Sequence, residues 1–429
     1  MTQKQKSNVL VIVVMILLFG MISFVTNLAS PMGDILKNQF NVANWMGTLG
    51  VLANFIAYAV MGIPAGNLLQ KHGYKKTALL AVTVGFLGVG IQTIAGLLTG
   101  NLAFGIYLLG AFVAGFSMCM LNIVVNPMLN KLGGGGNRGN QLIQVGGSFN
   151  SLMGTAVIFL TGVFVPDIAK AHISQVFPLM FIALAIFALA FIVIFCTQIP
   201  ENTPQAIKNE GASKYGPMSF RHFVLGAIAI FIYVGVEVGI PNVLQKWLQN
   251  GGLSVTEGAE AIAGTVTATY WLLMLVGRLM GAALGAKVSA KNMLTAVSFI
   301  GLCLVLGAIF LSPETVVNLP VFKGRAGFGF ALVPVNAALL VLCGLCTSVM
   351  WGGIFNLAVE GLGKYTEKAS GIFMALVCGG GILPFIQNLV VDMTNNYLVS
   401  YWVIVVGLAF LLFYALIGSK NVNKDIPTE

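Results

Sequence analysis

The chain consists largely of uninterrupted apolar runs of about twenty residues or more, and these runs restrict its fold more than any other feature. Between Val9 and Phe24 no residue carries a charge, and after Lys6 the next charged side chain is Asp34. Runs of this length match the thickness of a bilayer, and within lipid a helix satisfies its own backbone hydrogen bonds. A transmembrane barrel would instead alternate apolar and polar residues over about ten positions. The runs therefore predict a polytopic helical membrane protein.

The composition agrees with a chain whose solvent is lipid. Only 8% of the 429 residues are charged, whereas soluble domains average about 25%. The first apolar run is too long for the core of a signal peptide and no A-x-A site follows it, so we interpret it as the first span. The six cysteines all lie within apolar runs, which favours packing rather than a metal or redox site.

Polar breaks divide the apolar runs into twelve predicted helices. Their predicted bounds are 9–37, 44–69, 77–99, 102–130, 141–165, 174–198, 222–249, 259–286, 291–311, 330–359, 370–391 and 398–418. The longest polar stretch, 199–221, is predicted to be a cytoplasmic linker between residues 1–198 and residues 222–429. The predicted fold class is all-α, with twelve transmembrane helices in two six-helix bundles.

Lysine and arginine positions predict the orientation of these helices. Most of the 22 basic residues fall in cytoplasmic segments if the N-terminus is placed inside. Short basic loops stay inside, so both termini are predicted to be cytoplasmic, with the protein in the cell (inner) membrane. The net charge of +9 is then a topology signal, and nucleic acid is not a predicted partner.

Asp34 and Glu237 are the acidic residues placed most clearly within predicted spans. A charge at bilayer depth costs at least a few kcal/mol, so it usually faces a cavity and has a function. Partial desolvation favours the protonated form of a carboxylate, which makes both residues candidates for proton coupling. The alternative for Asp34 is an interfacial position facing headgroup water. The alternatives for Glu237 are a structural acid bonded to a neighbouring helix and a hydrogen-bond acceptor for the substrate.

The two halves of the chain share a short sequence pattern. PMGDILKNQF ends the first predicted span and GIPNVLQKWL ends the seventh, so that Asp34 corresponds to Asn242. Repeated halves are typical of secondary transporters, which place the substrate site at the interface between the repeats.

Six short stretches occur in an order that resembles one family. They are DILKNQF (34–40), IPAGNLLQKHGYKK (63–76), NPMLNKLG (126–133), SFNS (148–151), YWLLMLVGRLMG (270–281) and GGGILP (379–384). The chain thereby resembles the fucose permease type of sugar–proton symporters within the major facilitator superfamily, over nearly its whole length. The resemblance implies a twelve-helix two-bundle fold, alternating access and a sugar substrate.

The resemblance also implies roles for single positions. Asp34 matches the family's acid in the first helix, which serves proton and sugar handling, and Asn150 matches a polar residue of the fifth helix. Asn122 stands where the family has Glu, and Gly147 stands where it has Gln. A neutral amide at position 122 can bind hydroxyls but cannot carry a proton, so sodium coupling or uniport remain as alternatives to proton symport.

Amide and aromatic side chains within the spans are candidates for binding a sugar, because they offer hydrogen bonds and flat apolar faces. The predicted substrate-binding residues are Asn27, Asn122, Asn126, Gln144, Asn150, Trp351, Asn356 and Gln387. For each amide, hydrogen bonding between helices is the competing interpretation, and for the tryptophan it is packing. Asn388, Tyr233 and Tyr270 are further candidates.

Basic residues in two matching places are predicted to control conformation. GNLLQKHGYKK resembles the superfamily's loop between helices two and three, and GRLMG resembles the equivalent position in the second half. The residues predicted to lock the cytoplasmic helix ends in one state are Lys71, Lys75, Lys76 and Arg278. Simple anchoring by positive charge is the alternative for the loop.

Three glycines of the predicted eighth helix are spaced by four residues. They are Gly277, Gly281 and Gly285, and small residues at this spacing let two helices approach closely. We therefore predict a packing role for them.

Together these features predict a secondary active transporter that imports a hexose, deoxyhexose or amino sugar by proton symport. The predicted partners are the sugar and membrane lipid, the predicted state is a monomer, and no metal or cofactor is predicted beyond the coupling ion, H⁺ or Na⁺. An enzyme is not predicted, because no nucleophile with a base is in register. A membrane sugar sensor is the alternative class, which the short segment after Lys420 disfavours.

Overall fold

The computed structural model describes residues 3–40, 49–164, 172–201, 215–253, 259–323, 327–423 and 425–428. The described part is helical except for one β-hairpin and the connections. The helices are α1 (Gln3–Phe40), α2 (Leu49–Ala95), α3 (Gly100–Leu132), α4 (Gly136–Phe164), α5 (Phe177–Cys196), α6 (Arg221–Trp247), α7 (Ala259–Leu284), α8 (Ala290–Phe310), α9 (Val335–Thr347), α10 (Met350–Val359), α11 (Thr366–Ala375), α12 (Gly379–Thr394) and α13 (Trp402–Phe413). The strands are β1 (Val316–Phe322) and β2 (Phe328–Pro334).

Twelve membrane spans can be assigned to these helices. Ten described segments are long and apolar enough to cross a bilayer, with α9–α10 and α11–α12 each forming one of them. Helix α2 has 47 residues and leaves helical geometry at Gly73, where φ is 79°. Since about 20 residues cross a bilayer, α2 supplies two spans joined at this glycine, which adopts a positive φ without steric cost. The 29-residue α4 completes the twelve predicted spans.

The β-hairpin between α8 and α9 was not predicted from the sequence. Strands β1 and β2 pair antiparallel, with Phe322 opposite Phe328 and Val316 opposite Pro334. The predicted tenth span therefore begins too early, because residues 330–334 belong to β2 and the helix starts at Val335. Pro334 disfavours helical geometry at the residue before it, which prevents α9 from extending back into the strand.

The two ends of the helix bundle differ in charge. One end, called the basic end below, carries the Gly73 reversal and the connections α3–α4, α7–α8 and α10–α11, near Lys131, Lys287 and Lys364. The segment after α13 also lies there, since the backbone N–H of Lys364 donates to Thr428 O at 3.1 Å. The opposite end, called the far end, carries the hairpin.

The first six spans meet the last six where α2 packs on α11 and α4 packs on α7. In the α2–α11 contact a methyl group built on Gly66 would lie 2.9 Å from the Cα of Gly371. The two backbones therefore touch, and only glycine fits between them. The division of the chain at the predicted linker, 199–221, stays a prediction because residues 202–214 lie outside the described part.

The glycine spacing in α7 marks a packed face, as predicted. A Cβ on Gly277 would meet the side chain of Ser348, and one on Gly281 would meet Val349. A Cβ on Gly285 would lie 3.3 Å from the Cα of Gln141 in α4. These contacts confirm the prediction that the glycines allow close approach of neighbouring helices.

Substitution of Gly66 by Leu should destabilise the protein, because the new side chain must displace the backbone of α11. Overpacking of this kind typically costs about 1–3 kcal/mol, so we expect a lower midpoint of thermal unfolding in detergent, followed by size-exclusion chromatography. Gly90→Leu in the same helix is the matched control, since no atom lies within 4 Å of a Cβ built there. Equal midpoints for the two variants would contradict the close α2–α11 contact.

Candidate functional site

A buried ion pair lies where the two sets of six spans meet. Arg278 in α7 places its Nη2 3.1 Å from Oε1 of Glu237 in α6, and the two side chains are 9% and 13% exposed. Each charge is costly at bilayer depth unless it has a partner, so each residue accounts for the presence of the other. Both residues were singled out from the sequence, but their pairing was not predicted.

The guanidinium of Arg278 also reaches across to the first six spans. Its Nη1 donates to Gly147 O at 2.9 Å, to Asn150 Oδ1 at 3.1 Å and to Ser151 Oγ at 2.9 Å, all in α4. Arginine suits this place because it offers five donors in a rigid plane and keeps its charge. One side chain thus joins a carboxylate of the last six spans to three oxygens of the first six.

Arg278 lies inside a span, within the bounds 259–286 predicted for the eighth helix. It lies six residues before Leu284, where α7 ends, which corresponds to roughly 9 Å along the helix axis. Its predicted role in locking the cytoplasmic helix ends stays a prediction, but its depth in α7 places it away from those ends. The side chain is therefore an interior contact between helices, at 7% exposure for the residue.

Tyrosines surround the ion pair on the side of the last six spans. Tyr270 is fully buried, and its hydroxyl lies 2.9 Å from Thr347 Oγ1 and donates to Glu237 O at 3.2 Å. Tyr233, also fully buried, lies one helical turn before Glu237. The tyrosines thus pack beside Glu237, and the ionic partner of its carboxylate among the described residues is Arg278.

Asparagines of α3 form two of the bonds that cross between the two sets of spans. Asn126 is fully buried and its Oδ1 accepts a hydrogen bond from Trp351 Nε1 at 2.9 Å. One turn nearer the basic end, Asn130 Nδ2 donates to Asn356 Oδ1 at 2.9 Å. The predicted residues Asn126, Trp351 and Asn356 are thus brought together, here as partners of one another.

Glutamines of α4 cross the same boundary. Gln144, 2% exposed, donates through Nε2 to Val349 O at 3.0 Å, and Gln141 Nε2 donates to Ala282 O at 3.0 Å. Both bonds lie between Arg278 and the basic end. Together with the asparagine contacts, these bonds close the boundary between the two sets of spans at the basic end.

Two predicted amides make their hydrogen bonds within the first six spans. Asn122 donates to Tyr58 OH at 3.0 Å and to Met118 O at 3.1 Å. Asn27 Nδ2 lies 2.9 Å from both Ser23 O and Ser23 Oγ. These contacts fit the alternative of bonding between or within helices, and they leave Asn27 half-buried.

Gln387 of α12 is the predicted amide with the most unusual surroundings. The residue is fully buried, and among the described residues neither its Oε1 nor its Nε2 has a hydrogen-bond partner. Leaving a buried polar group without a partner costs about 1–3 kcal/mol. Its neighbour Asn388, in contrast, accepts from Lys246 Nζ at 2.8 Å and donates to Asn242 Oδ1 at 3.2 Å. Gln387 therefore has unused capacity for a water or a polar ligand.

The remaining predicted residues are Asp34 and the lysines of the loop after the second predicted span. Asp34 belongs to α1, but its side chain lies outside the described residues. Lys71 and Lys76 are exposed. Lys75 donates to Phe195 O at 2.8 Å and to Thr197 O at 2.9 Å, so these contacts tie the loop to the end of α5 and not to the last six spans.

Sequence reasoning missed several members of the arrangement. Asn130 could have been found, because positions 122, 126 and 130 are spaced by four and lie on one helix face. Ser151 and Tyr58 gave no comparable signal, since their roles depend on which helices become neighbours.

The chain belongs to the Major Facilitator Superfamily, whose family model matches residues 10–385. It is 28% identical to a glucose/galactose transporter of Brucella abortus over 98% of this chain and 97% of that protein. It is 23% identical to the L-fucose-proton symporter of Escherichia coli over 94% and 92% of the two chains. The predicted resemblance to the fucose permease type is therefore confirmed.

The fold matches a solved structure of the same superfamily. The transporter FucP, crystallised in the outward conformation, aligns with a TM-score of 0.79 at 20% identity, covering 97% of this chain and 100% of that one. This likeness establishes the major facilitator fold for the chain.

Substitution of Arg278 by Met should be strongly destabilising, because it leaves the Glu237 carboxylate buried without a counterion. Removing one partner of a buried pair costs about 3–5 kcal/mol. Adding Glu237→Gln to Arg278→Met removes the stranded charge and should recover part of that loss, measured as thermal unfolding in detergent. The exposed Arg138→Met is the control for loss of one positive charge. If the effects of the two substitutions simply add, the residues do not interact.

Proposed function

We propose that the protein is a secondary active transporter that imports a neutral hexose, deoxyhexose or amino sugar into the cell by proton symport. Membership of the Major Facilitator Superfamily and similarity to proteins named glucose/galactose transporter and L-fucose-proton symporter support this substrate class. The observation that carries the proposal is the buried pair of Glu237 and Arg278 at the boundary between the two sets of spans. Transporters of related architecture place substrate and coupling-ion sites at such a boundary, near the bilayer midplane.

In this proposal the sugar binds beside the ion pair. Asn27, Asn150 and Gln387 offer amides for its hydroxyl groups. Trp351 offers a flat ring, held in place by Asn126 and by contacts with the neighbouring rings of Tyr233 and Phe373, each with a centroid separation of 6.3 Å. An apolar wall with a few convergent polar groups is the usual composition of such pockets.

Protonation of Glu237 is the proposed coupling step. While Glu237 is ionised, it holds Arg278 where Nη1 reaches Gly147 and Asn150, and the basic end stays closed. A neutral Glu237 leaves a buried guanidinium without a counterion, at a cost of several kcal/mol. Entry of water from the basic end relieves that cost, so protonation favours opening there. Loss of the proton restores the pair and closes the boundary again.

The charge distribution supports an orientation of the protein in the membrane. Basic loops stay on the cytoplasmic side, so we propose that the basic end, and with it both termini, faces the cytoplasm of a cell whose inner membrane holds the protein. Opening at the basic end then releases sugar and proton inside. Asp34, which matches the family's acid in the first helix, is the proposed second proton carrier, and the protein is proposed to act as a monomer.

Sodium-coupled symport or uniport is the alternative, because Asn122 occupies the position of the family's second acid and bonds Tyr58 as a neutral donor. In this case Glu237 and Arg278 would form a permanent structural pair. Replacing the carboxylate would then alter stability without altering the dependence of uptake on pH.

Uptake into proteoliposomes tests the proposal. With an inward proton gradient, we expect the wild type to accumulate at least one labelled sugar from a panel of glucose, galactose, fucose and N-acetylglucosamine. Glu237→Gln should only equilibrate that sugar, because a permanently neutral side chain cannot carry a proton. Asp392→Asn is the matched control, since it makes the same change at an exposed carboxylate and should behave as wild type.

Each other outcome points to a different conclusion. Sugar accumulation that depends on a sodium gradient and not on a proton gradient would show that the protein is a sodium symporter. Full accumulation by Glu237→Gln would show that Glu237 does not couple transport to protons, and Asp34 would remain as the candidate coupling residue. Entry of none of the sugars into liposomes that hold folded wild-type protein would contradict the proposed substrate class.

A further inference from the structure

The β-hairpin at the far end carries an apolar face that the described residues leave uncovered. On this face Phe322 stands opposite Phe328, Pro320 opposite Phe330, and Asn318 opposite Leu332. The exposed fractions of its large apolar side chains are 41% for Phe322, 88% for Phe328, 63% for Phe330 and 55% for Leu332. We call these four side chains the hairpin face.

The opposite side of the hairpin is already used for packing. Val321, Ala331 and Val333 are 2%, 9% and 0% exposed, and β1 packs on α7 while both strands contact α9. Successive strand residues point to opposite sides, and a sheet with one side in water normally carries polar residues there. Here both sides are apolar, so the hairpin face also requires an apolar environment.

Contacts with α7 define the depth of the hairpin. Phe322 N donates to Thr265 Oγ1 at 3.3 Å, while the Thr265 hydroxyl donates to Ala261 O at 2.8 Å within α7. Thr265 lies six residues after Ala259, the first described residue of α7, which corresponds to roughly 9 Å along the helix. A position this near the far end of a span suits an interfacial element, since such elements rest about 5–10 Å into the boundary between headgroups and acyl chains.

The hairpin follows closely in sequence on an exposed aromatic pair at the same end of the bundle. Phe310 at the end of α8 and Trp402 at the start of α13 are 72% and 44% exposed, and their rings meet edge to face at 6.0 Å. Exposed aromatic rings at the ends of spans form the belt typical of the membrane interface. Only Leu311 and residues 312–315 separate this belt from β1.

The backbone of the hairpin sets a limit to its depth. A two-stranded hairpin leaves outward-pointing N–H and C=O groups, and each would cost several kcal/mol in hydrocarbon. At the headgroup level water and lipid polar groups can satisfy them. Lys323 next to the turn, whose backbone N–H donates to Gly327 O at 2.9 Å, can extend its ammonium group to the same level.

From these observations we propose that the hairpin face is a membrane contact, covered by lipid acyl chains at the boundary between headgroups and acyl chains of the leaflet at the far end. The hairpin would then anchor the far ends of α7, α8 and α9 to that leaflet. This proposal does not depend on which substrate the protein carries. Contact with a second copy of the chain, or with a soluble partner, is the competing outcome of the test.

Site-directed spin labelling tests the proposal. Phe330→Cys and Leu332→Cys would be labelled separately in a background where Cys196, Cys303 and Cys378, which are not buried, are replaced by Ser. In phosphatidylcholine–phosphatidylglycerol vesicles we expect both labels to collide at least several-fold more readily with oxygen than with a water-soluble nickel chelate. Glu314→Cys, at an exposed polar position before β1, is the matched control and should show the reverse preference.

Two results would overturn the proposal. Ready access of the nickel chelate at positions 330 and 332, equal to that at position 314, would place the hairpin face in water. Poor access of both reagents would show that protein covers the face, and dependence of this protection on the lipid-to-protein ratio would identify a second copy. The label at 332 keeps the test valid if the change at 330 prevents folding.

Discussion

The structure depends on one guanidinium that two groups of helices share. Arg278 is held by Glu237 from its own side of the boundary and by Gly147, Asn150 and Ser151 from the other. A buried charge with a single counterion is sensitive to the charge state of that counterion. The Arg278 side chain therefore neutralises the buried Glu237 carboxylate and also connects the two halves of the fold.

The contacts around Arg278 explain how a local charge can act over the whole boundary. The bonds from Gln144 and Asn130 to the last six spans lie on its basic side, and each is an ordinary hydrogen bond worth about 1 kcal/mol net. In the proposed transport cycle, such bonds break and reform together as the two halves move relative to each other. The ion pair is costlier to break, so it sets the condition under which the weaker bonds give way.

The fold class could be predicted from the sequence because few backbone structures can span a lipid bilayer. Apolar runs of bilayer length must become helices, and some helix bounds followed within a residue, for example 291–311 against Ala290–Phe310, whereas the first helix begins six residues before its predicted start. The hairpin was missed because FGFALVP is as apolar as a helix, and only Pro334 signalled otherwise. The site was found in part: Glu237 and Arg278 stood out as charges in spans, but their pairing depends on which helices become neighbours, and spacing along the chain cannot give that.

The most direct test of the account is the distance between the two halves at the basic end as a function of pH. Spin labels at Arg138 and Lys287, both exposed, would report it by pulsed electron resonance in lipid nanodiscs. The account predicts that lowering the pH lengthens this distance in the wild type, and that Glu237→Gln shows the longer distance at every pH. A Glu237→Gln variant whose distances follow those of the wild type across the pH range would contradict it.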